Sequence, residues 1–292
     1  MKYGSCTEVR QLPSSTPTRV RCLETVVCAL VLAAFLCRTS PCPPVLQRSS
    51  PVLQCLSLRT SRLFNPRFVC FTWAVDLSDL GGVEAFLRQR LTQTLPGAPV
   101  QWRFAPRPAR KGWEPDHQPP GARQAAALIL LYEGHAGPVL PLTVRRDDLP
   151  HHPGQVSLPG GAIDPGEPPD RAALREAHEE IGITPADVRI VGSLSTLNVI
   201  VSNFVVQPFV GIVNGRPEFR LAPHEVASLV EVPLEDLRDA GRLGWSRRVR
   251  DGFLVEYPHF DLAGHHVWGA TAMILGEFAS LFDPEFGPPP FE

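Results

Sequence analysis

GGAIDPGEPPDRAALREAHEEIGI, residues 160–183, is the stretch whose reading decides the fold. Its second half is bracketed as a helix. Pro168 and Pro169 suit a first turn, Asp170 puts an acid near the N-terminus, and Gly182 followed by Pro185 ends the run. At about 100° per residue, Glu176, Glu179 and Glu180 fall within roughly 100° of arc, while Leu174, Ala177 and Ile181 fall opposite. One face is therefore suited to dock on a sheet, and the other presents three carboxylates with Arg175 at its margin. Like charges three and four residues apart cost a helix a few tenths of a kcal/mol per pair, and no Lys is interleaved to relieve them. Such a cluster calls for cations. Hard divalent ions such as Mg²⁺ or Mn²⁺ take oxygen ligands from a few carboxylates and complete their shell with water and phosphate. A solvated acidic face is the bland alternative, but the cluster stands at fixed offsets from Gly161, Glu167, Arg175 and Gly182.

Working outward, residues 125–132 (AAALILLY) form a continuous apolar run suited to a buried strand, and residues 139–145 read as its hairpin partner across Gly134–Gly137. Residues 188–197 and 204–213 are rich in β-branched side chains and predict two more strands. A helix is expected at 83–91, a Pro-, Arg- and Gly-rich loop from Pro96 to about Gly121, a short helix beginning at 232–237, a last strand at 253–257 and a closing helix at 268–282. Residues 287–290 (GPPP) read as an unstructured tail. The alternation predicts one α+β domain over residues 75–286, a mixed β-sheet between helices in an α/β/α sandwich.

The first 74 residues differ from the rest. They hold nine Lys or Arg against two Asp or Glu, where residues 75–292 hold nineteen against twenty-eight. All seven cysteines lie between Cys6 and Cys70, so neither a disulfide framework nor a thiolate zinc site belongs to the main domain. The apolar run at 25–37 is too short to span a membrane, and its polar approach and missing cleavage site argue against a secretory signal. Three readings stay open for residues 1–74: a disordered or non-native extension with a true start near Val75, an organellar targeting segment, or a short anchor. The net charge of −2 argues against a dedicated nucleic-acid binder, and no stable membrane association is expected. Two lysines against twenty-six arginines suggest a GC-rich genome and a cytoplasmic enzyme.

Residues 161–183 resemble the Nudix box, G-x5-E-x7-R-E-U-x-E-E-x-G-U, at every fixed position, with Ala177 and Ile183 in the apolar places. The resemblance implies that Glu176 and Glu180 are the principal metal ligands, with Glu179 a further ligand or water-positioning group. Glu167 would be their outer partner, and Arg175 would orient a glutamate. Gly161 would turn its carbonyl toward the metal. It also implies an enzyme that hydrolyses the diphosphate bridge of a nucleoside diphosphate derivative, with a glutamate as base.

Just upstream, residues 142–161 (LTVRRDDLPHHPGQVSLPGG) are similar to the extra motif of the coenzyme A diphosphatase branch, L-L-T-x-R-S-x3-R-x3-G-x3-F-P-G-G. Leu142, Thr143, Arg145, Gly154, Pro159, Gly160 and Gly161 fall in register, whereas Arg146, Pro150 and Leu158 stand where the motif has Ser, Arg and Phe. Residues 202–211, Glu225-Val226 with Val232-Pro233-Leu234, and residues 267–272 also resemble that branch. Coenzyme A carries a 3′-phosphate beside its diphosphate, and Arg145, Arg146, His151 and His152, with Gly160, would bind it. Trp268 is expected to pack at a helix start. The implied partner is a small molecule of the coenzyme A class, and a homodimer is compatible with the sequence. Hydrolysis of ADP-ribose, a dinucleoside polyphosphate or an oxidised nucleotide is the alternative, kept open by Pro150. A nucleotide-binding regulatory module is a third reading, opposed by the retained Glu167, Glu176, Glu179 and Glu180.

Overall fold

The computed structural model describes residues 78–108, 118–149, 154–250 and 252–290. The N-terminal segment to Phe71, all seven cysteines, and Pro150, His151 and His152 lie outside the described residues.

Strand β1 (Arg123–Gly134) is the axis of the fold. Its run Ala126 to Tyr132 is buried on both sides, as a strand covered on two faces must be. Ala127, Ile129 and Leu131 point into one apolar cluster, and Ala126, Leu128, Leu130 and Tyr132 into another. Strand β2 (Gly137–Arg145) returns antiparallel but pairs with β1 only at Tyr132–Gly134. Beyond that the two strands part. The near end of β1 takes β4 (Gly160–Ala162) antiparallel, while β2 takes β3 (Val156–Ser157). On its other edge β1 runs parallel to β7 (Phe204–Ile212) for nine residues, and β7 carries β5 (Arg189–Ser193) and β6 (Leu197–Val199) antiparallel. The result is a mixed sheet in the order β3-β2-β1-β7-β5, with β8 (Val226–Pro233) added to β2.

The anticipated carboxylate-bearing helix covers one face. It is α3 (Pro169–Ile181), numbered after α1 (Leu80–Arg90) and α2 (Ala98–Arg103). Ala173, Leu174, Ala177 and Ile181 pack on Leu128, Leu130 and Tyr132 of β1. Complete burial of Ile181 alone is worth about 2 kcal/mol. The helix stops at Gly182, whose φ of +78° closes the last turn, and a Cβ there would stand 2.7 Å from Cβ of Arg220. The opposite face is covered by α1 and by α5 (Ala270–Ser280), which follows α4 (Leu234–Arg238). Helix α5 is apolar nearly all round and buried from Ala272 to Ser280, as a central helix should be. It holds a fully buried carboxylate, Glu277, which accepts from the amides of Gly97 and Ser195 and from Nε2 of Gln101. The α+β class and the sheet between helices thus agree with the sequence.

Several expected boundaries are corrected. The loop expected from Pro96 to Gly121 contains α2, with proline in its first turn. The stretch expected to be strand across 188–197 breaks into β5 and β6. The short helix expected from Val232 begins at Leu234, after strand β8. The last strand is not a five-residue piece. It is β10 (Phe253–Leu262), the middle of a second sheet with β9 (Leu243–Arg250) and β11 (His265–Trp268). Trp268 therefore ends a strand, and the closing helix starts at Ala270 rather than at Trp268.

Candidate active site

Glycine at 160 and 161 brings the site together. A Cβ on Gly160 would lie 2.4 Å from the carbonyl oxygen of Ala126 and 2.7 Å from Cα of Ala127, so only glycine lets β4 lie this close to β1. That contact in turn presses Gly161 onto the helix. A Cβ there would sit 2.6 Å from the carboxylate atoms of Glu176. Backbone and carboxylate are thus held side by side, an arrangement in which a carbonyl and a carboxylate can serve one cation.

Arg175 is the hub of the helix's polar face. Its Nε and Nη2 donate to Glu167 at 2.9 and 3.0 Å, Nη1 to Glu176 at 2.9 Å and to Glu179 at 3.2 Å, and Nη2 to the carbonyl of Ala162 at 2.9 Å. The planar guanidinium fork suits several carboxylates at fixed angles, as an ammonium would not. Glu167 also accepts from the amide of Asp164 at 3.1 Å. The Arg175 guanidinium, with that amide, holds the Glu167 carboxyl below its ordinary range.

The other glutamates are shifted the opposite way. Burial raises the Glu176 carboxyl, Arg175 opposes, and Glu179 and Glu225 raise it further. Glu180, only 6% exposed, is pushed up to about 8 by burial and then by the charges of Glu225 and Glu176. The Gly160 amide and Arg145 offset part of this. Its Oε2 has no hydrogen-bond partner among the described residues. A carboxylate so placed is short of positive charge, because burying an anion without a counter-ion costs several kcal/mol.

The domain model for the NUDIX domain matches residues 122–251. A Nudix hydrolase, NudL, of Enterobacter sp. (strain 638) is 42% identical over 166 residues, covering 54% of this chain and 81% of the relative. The NudL of Salmonella newport (strain SL254) is 38% identical over 172 residues, covering 56% and 84%. The chain belongs to the Nudix hydrolase family. A solved Nudix hydrolase from M. smegmatis, RenU, aligns with 21% identity and a TM-score of 0.37, over 55% of this chain and 81% of its own. The NudL relatives are themselves described as uncharacterized.

Every fixed position of the Nudix box lies at one place in the fold, on β4, its following turn and α3. Nudix hydrolases generally use divalent metal ions. Among the described residues, no three carboxylate or imidazole side chains already converge in coordinating geometry, since Arg175 bridges Glu176 and Glu179 instead. The donor set nonetheless fits a hard cation: all oxygens, one of them buried and without a partner.

Sequence reasoning gave no role to Glu225. It precedes β8, and its charge bears on both Glu180 and Glu176, which makes it a fifth carboxylate of the cluster. The only sequence signal was its place in a short motif, because the residue reaches the site through the β2–β8 pairing and not through helical spacing. Arg145 lies beside the cluster, where its Nη1 donates to Glu225 at 2.7 Å. Arg146 lies further out, forked on Asp148 at 2.8 and 2.7 Å and donating to the Pro223 carbonyl at 2.6 Å. Leu158, in the place of an aromatic residue, is buried in the core.

Proposed function

We propose that the protein is a Mg²⁺- or Mn²⁺-dependent diphosphatase for coenzyme A or its derivatives, releasing 3′,5′-ADP and 4′-phosphopantetheine. The observation that carries the reaction is the buried, unpartnered Oε2 of Glu180 in the fields of Glu176 and Glu225, with the Glu176 carboxylate held against the Gly161 backbone. Glu176 and Glu180, with Glu179 and the Gly161 carbonyl, would hold the divalent ion. When bound, it supplies neutralisation of the diphosphate oxygens and a more acidic attacking water.

The chain's own residues do the rest. Arg175 fixes the rotamers of Glu167, Glu176 and Glu179, so the carboxylates meet the substrate in one arrangement. A water oxygen bonds to one phosphorus, the bridging oxygen leaves with the electron pair, and a carboxylate of the cluster accepts the water proton. Arg145, exchanging Glu225 for phosphate, would neutralise one of the product phosphates, and Arg146 would do the same further from the helix. The coenzyme A assignment is supported by the motif at 142–161, whose Arg145, Gly160 and Gly161 lie against the cluster. His151 and His152, which lie outside the described residues, belong to the same sequence motif and are proposed to add cations for the substrate's phosphates.

Product analysis tests both levels. The full chain is incubated with Mn²⁺ and either coenzyme A or ADP-ribose, beside Glu180→Gln. Release of 3′,5′-ADP by the native chain alone is expected. Equal cleavage by both proteins would remove Glu180 from the metal site, and turnover of ADP-ribose without coenzyme A would move the substrate to the alternative class.

A further inference from the structure

Residues 213–225 join β7 to β8 without regular secondary structure. Backbone bonds hold the second half of this loop. The last carbonyls of a helix have no intrahelical partner, and here the loop supplies them: the amide of Arg220 donates to Ile181 at 3.0 Å and that of Ala222 to Glu180 at 2.9 Å. A tight turn follows, in which the amides of Glu225 and Val226 donate to the Ala222 carbonyl at 3.1 and 2.9 Å. Glu225 is thus tied to the backbone of Glu180 through a short length of chain. Its carboxylate accepts from Arg145, and Arg146 donates to the Pro223 carbonyl at 2.6 Å.

The first half is held differently. Among the described residues, residues 214–219 make no backbone–backbone hydrogen bond, so side chains set the path there. Arg216 forks on Glu231, with Nε and Nη2 each 2.9 Å from a carboxylate oxygen, and Glu231 also accepts from the hydroxyl of the fully buried Tyr132. The Phe219 ring meets Tyr132 edge-on at 5.6 Å, the Arg216 guanidinium carbon lies 5.4 Å from the Phe219 centroid, and Asn214 accepts from Arg189 at 3.1 Å. These contacts support one another. The hydrogen bonds from Arg216 hold the Glu231 carboxyl below its ordinary range against burial. Burial, then the bond to Glu231, pushes the Tyr132 hydroxyl up, so it stays a donor. Among these anchors Arg216 makes the two-point fork, the contact that fixes direction as well as distance.

The fork stands well away from the cluster it serves. On β8, Glu231 lies opposite Pro141 and Val226 opposite Arg145, a separation of roughly 17 Å at about 3.3 Å per residue. Pairing with β2 fixes Val226, the residue after Glu225. The turn before it takes its direction from the loop.

We propose that Arg216 is a positioning residue for the metal cluster: by fixing residues 214–219 on Glu231 and Tyr132, it sets the turn from Ala222 to Glu225 and so the place of the Glu225 carboxylate beside Glu180. This rests on the metal-site reading above, in which Glu225 belongs to the cluster. Arg216 acts through the loop and has no part in ligation.

Calorimetric titration of the full chain with Mn²⁺ alone reads the effect without turnover. Arg216→Met should weaken Mn²⁺ binding about three- to tenfold, and Arg216→Lys should recover only part of the loss, because an ammonium cannot fork on two oxygens. The unfolding midpoint in EDTA should scarcely move, since a half-exposed ion pair adds little to the fold. In a Glu225→Gln background, Arg216→Met should change Mn²⁺ affinity by roughly twofold at most, the non-additivity of residues that act through one group. If Arg216→Met fails to fold, Arg216→Lys carries the same cycle. Native Mn²⁺ affinity in the Arg216 variants, or a loss as large without Glu225 as with it, would overturn the proposal. So would a loss that tracks a lowered midpoint. A native chain that binds no Mn²⁺, or Glu225→Gln with native affinity, would instead bring down the metal-site reading and the proposal with it, so the two failures are distinguished.

Discussion

Glu180→Gln should stabilise the metal-free protein, and by an amount that depends on pH. The glutamate is buried with an unpartnered oxygen and sits in the fields of Glu225 and Glu176, which lift its carboxyl from 4.5 to about 8. A carboxyl whose pKa is higher in the folded than in the unfolded chain stabilises the fold in its protonated form. That advantage is complete below the unfolded value and is lost as pH rises through the folded one. Between about pH 5 and pH 8 the metal-free protein should therefore lose about 1.4 kcal/mol of stability per pH unit from this group. Relative to a neutral side chain of the same shape, the penalty is below about 1 kcal/mol at pH 5 and about 3 kcal/mol at pH 7. For a domain of this size, that corresponds to a midpoint higher by roughly 6–12 °C in Glu180→Gln at pH 7.

Urea or thermal unfolding in EDTA at pH 5, 6, 7 and 8 measures it, with the native chain and Glu180→Gln side by side. The two curves should nearly coincide at pH 5 and diverge steadily above it. Adding Mg²⁺ or Mn²⁺ should then raise the midpoint of the native chain to that of Glu180→Gln or higher, because an ion bound only by the folded state stabilises by mass action. Curves that stay parallel across the pH range would refute the buried-charge argument. Lower stability of Glu180→Gln at pH 8 would refute it more directly.

Other expectations follow from single contacts. Gly161→Ala puts a methyl 2.6 Å from the Glu176 carboxylate, so kcat should fall about a hundredfold, readable as initial rates at saturating metal. Arg175→Lys should be nearly as inactive as Arg175→Ala, since an ammonium cannot span Glu167, Glu176, Glu179 and the Ala162 carbonyl at once. Glu225→Gln removes a like charge from Glu180, so the steep part of the metal-free pH–stability curve should move to lower pH, while Mn²⁺ affinity weakens. Gly182→Ala must adopt a φ of +78° against Arg220 and should cost about 1–3 kcal/mol in unfolding experiments, with little change in metal affinity.

What the sequence disclosed and what it hid divide along physical lines. β1 and α3 were legible because their residues meet the core through a local period: a run of apolar residues for a doubly covered strand, and Leu174, Ala177 and Ile181 for a helix face. β9 was not, since LGWSRRVR keeps a strand's alternation while spending five of its eight places on Gly, Ser and Arg. β8 was obscured in the same way by Ala, Ser and Glu. At the site, the helix spacing named the box glutamates but could not rank their burial. Glu180 turns toward β4 and is enclosed, whereas Glu179, one residue earlier, stays exposed. Glu225 was hidden for a different reason: it joins the cluster only through the strand pairing that brings β8 beside β2.

The direction of the shifts says where the missing charge belongs. Among the described residues, five carboxylates, Glu167, Glu176, Glu179, Glu180 and Glu225, meet two guanidiniums, Arg175 and Arg145, so this set is short of cations before any substrate arrives. The deficit is uneven. On the Glu167 side, the Arg175 fork more than compensates and the carboxyl is held low. On the Glu180 side, Arg145 is already committed to Glu225, and both Glu176 and Glu180 are raised. A divalent ion placed between Glu176 and Glu180 would reverse both shifts and satisfy the buried Oε2. An ion on the exposed Glu179–Glu167 side would relieve neither. On that placement Arg175 and the ion would not compete: each would serve a different edge of one carboxylate row, with Glu176 shared between them.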